Sequence, residues 1–308
     1  TISIIHLLIC RILFYQNNPG YFCRMKFSQH LALGYIRAKF KLLAAISKKK
    51  AAEKAFELFC TPQRRNLKQP PKIFEQAEKV QQKGEGITVK GWHWHPETAA
   101  IPQRKALIIH GFESSAINFD RYVRPLLRKG YEVLAVDAPA HGRSGGSKIN
   151  APLYKKTIQA INKQFGPIQS FMAHSFGGLA VCLALEEISH TPDYRLVLIA
   201  PATETTTAIE TFFSFLKLDP AIRPEFDKVI IKKGGVSPAW YSIRRAMKHI
   251  KAKVLWIHDE DDDTTPLSDA LKVKDENHTN IQFVITKGLG HRRIYRDNKV
   301  TKQIVEFL

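Results

Sequence analysis

Cysteine is scarce in this chain: Cys10, Cys23, Cys60 and Cys182 are the whole complement, and no pair has C-x-x-C spacing. That pattern predicts reduced thiols in a reducing, cytoplasmic compartment. Acidic residues are also few, 28 against 47 Lys and Arg, for a net charge of +19. Such a surplus invites a nucleic-acid or anionic-membrane partner, but its distribution argues otherwise. Residues 1–105 carry 19 basic and 6 acidic side chains, so 13 of the 19 excess charges fall in the first third of the chain. No aromatic-and-basic RNA-binding pattern, zinc-finger spacing or recognition-helix signature goes with them. No nucleic-acid partner is therefore predicted, and the surplus reads as a solvated basic face. Missing as well is an apolar run of the roughly 20 residues that a membrane span needs. The opening ISIIHLLICRILFY is short and interrupted by His6 and Arg11. It also lacks the basic start and small-residue cleavage site of a secretory signal. Because the chain begins at Thr1 and Met25 opens a more polar helical stretch, residues 1–24 are expected to be upstream-translated or fragment sequence.

What is present is enough for a packed core: 44% hydrophobic and 10% aromatic residues over a length that suits one large α/β domain with an insertion. From Ser28 to Phe59, apolar residues recur at helical intervals with lysines between them. One long or two short amphipathic helices are predicted, packed on the body in preference to an anionic membrane. Thr61-Pro62 stops the helix, and Gln63–Lys72, with Pro70-Pro71, reads as a linker. Strands and helices then alternate. Candidate strands are Gln76–Gln82, Ile87–Trp94, Ala106–His110, Glu132–Asp137, Ile168–Ala173, Leu196–Ala200, Lys253–His258 and Ile281–Thr286. The later ones are continuous apolar runs such as ALIIH, VLAVD and VLWIH, as a parallel sheet covered on both faces requires. The first two are more polar and joined by Gly84-Glu85-Gly86, which suits an antiparallel hairpin at an edge. A doubly wound, mostly parallel eight-stranded sheet is expected over residues 73–308.

The segment PIQSFMAHSFGGL, Pro167–Leu179, is an apolar run that turns at Ser175 and continues with helical spacing. A strand fed directly into a helix strains the corner residue, and small neighbours two positions either side, here Ala173 and Gly177, let the arms approach. The pattern is a G-x-S-x-G elbow with alanine in the first glycine's place. It resembles the serine hydrolases of the α/β-hydrolase superfamily, esterase- and lipase-like.

A serine hydroxyl needs a base to take its proton, and the base needs a carboxylate to fix its tautomer. In the resembling family the order is Ser, acid, His. Gly288-Leu289-Gly290-His291 follows the last strand and resembles the family's G-x-x-H, nominating His291. VLWIHDEDDDTTPL offers Asp259, Glu260, Asp261, Asp262 and Asp263. Laying the family's H-G-x-x-D-x-x-V-P on His258–Pro266 selects Asp262, with Asp261 and Asp263 as alternatives, and leaves Asp259 where the family has glycine. A calcium loop fails because Thr264 and Ala270 stand where glycine and a bidentate glutamate are required.

The resemblance also implies an oxyanion hole from the amides of Phe112, in His110-Gly111-Phe112-Glu113, and Phe176. His110 and the loop Asp137–Gly145 are expected to be scaffolding, and His174 to buttress the elbow. In relatives a helical cap follows the strand after the elbow helix, here about residues 201–252. Phe212, Phe213, Phe215, Leu216, Trp240 and Tyr241 are its candidate pocket walls. His93 and His95 alternate on one strand, but no third ligand stands near in sequence, so they read as edge-strand residues and no metal is assigned. The expected function is hydrolysis of a small-molecule carboxylic ester or related acyl bond through an acyl-enzyme. No cofactor is called for, the chain is expected to be a monomer or weak dimer, and any anionic-membrane association is weak and N-terminal. Acyl transfer on the same triad and a non-catalytic ligand- or membrane-binding role are the alternatives. Serine at the corner, where haloalkane dehalogenases and epoxide hydrolases carry aspartate, disfavours those chemistries.

Overall fold

The computed structural model describes residues 27–308 apart from 64, 66 and 99–103. The expectations for residues 1–24, Cys10 and Cys23 lie outside the described residues. The basic amphipathic stretch forms two helices, α1 (Phe27–Ile46) and α2 (Lys48–Phe59). They divide at Ser47, whose hydroxyl accepts the Lys50 N–H at 3.2 Å and caps α2. After them come β1 (Glu78–Gly84), β2 (Ile87–Trp94), β3 (Arg104–Ile109), α3 (Asp120–Arg128), β4 (Tyr131–Val136), α4 (Ala151–Phe165), β5 (Ser170–His174) and α5 (Phe176–Leu185). The chain continues through β6 (Arg195–Ile199), helices α6 (Thr205–Leu216), α7 (Arg223–Gly234) and α8 (Ile243–Ala246), then β7 (Lys253–Asp259), α9 (Leu267–Lys274), β8 (Ile281–Thr286), α10 (Gly290–Arg293) and α11 (Asn298–Phe307).

The eight strands form one sheet in the order β1-β2-β4-β3-β5-β6-β7-β8. β1 and β2 pair antiparallel, β2 joins β4 antiparallel, and every other pairing is parallel. The hairpin turn is Glu85-Gly86, both at positive φ, the geometry that two-residue turns between twisted strands favour. Alternation along the central strands feeds two cores. Leu107 and Ile109 join Leu134 and Val136 on one face, while Ala106 and Ile108 join Val133 and Ala135 on the other. This double burial explains why those strands read as unbroken apolar runs.

The N-terminal helices do pack. α1 buries Leu33, Ile36, Phe40 and Ala44, and α2 buries Ala51, Ala52, Ala55 and Phe56, in the core that also holds α4, α5 and α6. Arg37 donates to the Phe215 carbonyl at 2.6 Å, tying α1 to α6. Edge-to-face rings lock α2 to the inserted helices: Phe56 lies 5.8 Å from Phe226, and Phe59 lies 5.2 Å from Phe212.

Candidate active site

β5 runs into α5 through Ser175, held at φ 55° and ψ −125°. For a residue with a Cβ that conformation costs on the order of 1–3 kcal/mol and persists only where the surroundings enforce it. They do so here: the Ser175 N–H donates to the Ile199 carbonyl at 3.1 Å, and the Ser175 carbonyl accepts from Gly178 and Ala202 at 2.9 and 3.0 Å. The small neighbours are required by space. A Cβ on Gly177 would meet the His110 carbonyl oxygen at 2.6 Å, and one on Gly111 would meet the Ser175 Cβ at 2.7 Å.

The corner presents the hydroxyl to an imidazole from far along the chain. Ser175 Oγ lies 3.0 Å from His291 Nε2, and His291 Nδ1 lies 2.8 Å from Asp262 Oδ2. All three residues are buried. Asp262 is further fixed by the Thr264 and Thr265 amides on Oδ1, at 2.9 and 2.8 Å, and by the Thr265 hydroxyl on Oδ2 at 2.9 Å. Burial alone would raise its pKa. The charge and hydrogen bond of His291, with help from His258 and the Thr265 amide, outweigh that and bring it down to about 2. The carboxylate is thus ionised wherever the imidazole could use it.

The neighbouring acids do different things. Asp261 accepts the Gly288 N–H at 3.0 Å, and the Asp263 carboxylate takes the Thr264 hydroxyl at 3.1 Å. Asp259, standing where the family has glycine, is buried and clamps the histidine loop. Its oxygens accept the amides of Gly290 and Leu289, at 2.9 and 3.1 Å, and the Thr286 hydroxyl at 2.6 Å. The departure from the family pattern therefore joins the acid loop to the loop that presents His291.

His110 and the Asp137–Gly145 loop, expected to be scaffolding, are tied to one another and to the turn after β3 by internal hydrogen bonds. His110 Nδ1–H donates to the Gly111 carbonyl at 2.7 Å, and Nε2 accepts the Ala138 amide at 2.9 Å. Asp137 accepts the amides of Ala116 and Arg143, while His141 Nε2 accepts the Glu113 amide at 2.9 Å. His174 does more than buttress the elbow. Its Nε2–H donates to the His291 carbonyl at 2.9 Å, and its ring packs 4.7 Å from the His291 ring.

A cavity of about 190 Å³ opens beside Ser175, bordered also by Phe112 and Phe176. Of the six wall residues expected from the insertion, Phe212 and Tyr241 line it; Phe213, Phe215, Leu216 and Trp240 do not. The reason is helical phase: Thr205, Ala208, Thr211 and Phe212 share the face of α6 toward the cavity, which turns Phe213 against Phe226, centroids 5.2 Å apart. Trp240 is instead covered by the Arg245 guanidinium, 3.8 Å from its ring centroid. The opposite wall comes from Phe56, Phe59 and Cys60, at the end of α2, which the sequence pattern did not mark as site residues. Cys60 is no rival nucleophile, since burial pushes its thiol up to about 12, and burial raises Cys182 well above the ordinary thiol range as well.

The family described as serine aminopeptidase, S33, matches residues 100–231, a span that includes the elbow. In overall shape the Pyrococcus furiosus esterase Pf2001 is similar at a TM-score of 0.59 and 20% identity, over 81% of this chain and 97% of that one. That likeness shows the α/β-hydrolase fold. Two Bacillus subtilis (strain 168) proteins are similar to this chain in sequence. The uncharacterized protein YqkD is 26% identical over 253 residues, 76% of this chain and 81% of its own. The uncharacterized hydrolase YugF is 35% identical over 107 residues, 33% of this chain and 39% of its own.

Proposed function

We propose that this protein is a serine hydrolase of the α/β-hydrolase superfamily that cleaves carboxylic esters with an apolar acyl group through an acyl-enzyme on Ser175. The observation that carries the reading is the unbroken relay from the Ser175 hydroxyl through His291 to Asp262, at 3.0 and 2.8 Å. Ser175 Oγ attacks the ester carbonyl as its proton passes to His291 Nε2, and Asp262 stabilises the imidazolium. The amides of Phe112 and Phe176 receive the developing oxyanion, each worth about 3–4 kcal/mol at the transition state. Collapse expels the alcohol with the proton from His291. Water, deprotonated by the same nitrogen, then releases the acid and restores the serine. Every bond and proton in this cycle is accounted for by these groups, so it calls for no cofactor.

The cavity favours acyl chains of medium length. A cavity of about 150 Å³ holds benzene, which puts 190 Å³ at roughly six to eight carbons. With each buried methylene worth about 0.8 kcal/mol, kcat/KM on p-nitrophenyl esters is expected to rise about 4-fold per carbon from acetate and then level off. Phe59→Ala should lower kcat/KM for octanoate by about 10-fold and leave acetate near wild type, while Phe59→Trp should move the optimum to shorter chains. A uniform change across the ester series would remove Phe59 from the acyl site.

A second feature favours work at a lipid surface. Leu31, Tyr35, Leu42 and Ile46 form one exposed stripe on α1, 56–72% exposed, on the side away from the buried face, with Lys39, Lys41 and Lys48–Lys50 exposed around it. Apolar residues flanked by lysines match the requirements of an anionic interface. No described helix is long and apolar enough to cross a membrane. Vesicles with anionic lipid are expected to sediment the protein, and Leu42→Glu with Ile46→Glu to abolish this without changing turnover of a soluble ester. Unchanged sedimentation by the double variant would refute a role for the stripe.

A further inference from the structure

The edge hairpin carries a group of side chains that the hydrolytic cycle does not use. β1 and β2 pair with Glu78 directly opposite His93, and His95 lies two residues on, so all three project from one face of the hairpin. The other face of β2 sends Trp92 and Trp94 into the core around Phe74. On the shared face one ligand atom each from Glu78, His93 and His95 lies within 4.8 Å of the others. The two imidazole centroids are 4.1 Å apart, and His95 Nε2 is 3.7 Å from Glu78 Oε2. The third ligand was invisible in the linear sequence because it arrives across the hairpin, 15 positions before His93.

We propose that Glu78, His93 and His95 form a binding site for a divalent transition-metal ion of the zinc type, separate from the Ser175 centre. The donor set suits the ion: two imidazoles and one carboxylate are the His₂Glu combination that borderline-soft divalent cations accept, with water completing a tetrahedron. The spacing suits it as well. Bonds of about 2.0–2.2 Å place tetrahedral ligands about 3.3 Å apart, so the three atoms close on an ion by small side-chain rotations. Two of the three side chains, Glu78 and His95, are more than half exposed and free to make them.

The buried member is already oriented. His93 is 7% exposed, and its Nε2 lies 3.0 Å from Glu132 Oε2 on β4, with Lys105 Nζ 3.3 Å from the same oxygen. A carboxylate behind a ligating histidine fixes its ring and raises its basicity, and Lys105 balances the charge of that carboxylate. His93 then meets the ion through Nδ1. The strand order leaves β4 and β3 between β2 and β5, which carries the elbow. The ion would thus clip the hairpin to the sheet edge, and its contribution is to stability.

Full-length protein freed of metal with a chelator and titrated calorimetrically with Zn²⁺ alone tests this. Wild type is expected to bind one ion and to melt at higher temperature when loaded, with unchanged ester turnover. Co²⁺ should give the visible absorption of a four-coordinate N/O site. His95→Ala and Glu78→Gln, both at exposed positions that should fold normally, are expected to abolish the Co²⁺ spectrum and the thermal shift. Glu132→Gln should weaken Zn²⁺ by about 10- to 100-fold. Absence of binding by wild type, or equal Zn²⁺ affinity in His95→Ala and Glu78→Gln, would overturn the assignment and place any bound ion on other histidines.

Discussion

Ser175→Ala is expected to lower kcat by about 10⁶-fold with little change in melting temperature, because the residue that attacks is lost while its backbone contacts to Ile199 and Ala202 are kept. Asp262→Asn should cost about 10⁴-fold, since an amide in the carboxylate's place leaves His291 in the wrong tautomer to take the Ser175 proton. The two losses should not add: with the serine gone, nothing remains for the imidazole to activate, so the double variant should match Ser175→Ala alone. Stopped assays on one soluble ester, with circular dichroism on each variant, check all three. Full activity in Asp262→Asn, accompanied by loss in Asp261→Asn or Asp263→Asn, would move the acid within the run.

The second large effect concerns stability in acid. Burial holds His110 at about 4 and His141 at about 3, from an ordinary value of 6.5, and lowers His174 and His258 as well. The native state keeps these rings neutral, while the unfolded chain protonates them as soon as the pH passes below about 6.5. The stability they permit is complete above that pH and is lost as the pH falls through the native values. By pH 4 the unfolded state gains about 3 kcal/mol from each of His110 and His141. Together that is about 6 kcal/mol, comparable to the whole stability of a typical domain. Asp137, whose pKa burial raises, acts in the opposite direction at the acid end of this window, and Asp262 adds its loss only below about 3.8. Melting temperature is therefore expected to fall steeply between pH 6 and pH 4. A flat profile across that range would show that these histidines are not held neutral in the folded protein.

Those histidines also show where sequence reasoning reaches and where it stops. The elbow, the glycine-flanked His291 and the acid segment were legible because each is a local pattern fixed by backbone geometry. The sheet was legible because both faces of β3–β7 are buried, which forces continuous apolar runs. Choosing Asp262 within a run of five acids rested on the family's spacing, and the hydrogen bonds to Thr264, Thr265 and His291 supply the physical reason.

What was not legible is whatever depends on two distant segments meeting. Asp259 looked like a flaw in the acid loop, yet its partners are amides 30 and 31 residues later. Phe59 and Cys60 belong to a helix whose lysine-rich pattern announced amphipathicity but not the surface it would cover. Phe213 and Phe215 were indistinguishable from Phe212 until the phase of α6 was fixed by packing. Glu78 could not be joined to His93 without the register of the hairpin, although the Gly84-Glu85-Gly86 turn was already a cue to that pairing.

The central claim is that Ser175 is the activated nucleophile, and covalent labelling tests it most directly. Native protein treated with a fluorophosphonate, digested and mapped by mass spectrometry should carry one adduct, on Ser175, with ester turnover falling in proportion to its occupancy. An adduct on another residue, or full loss of turnover with Ser175 unmodified, would contradict the account.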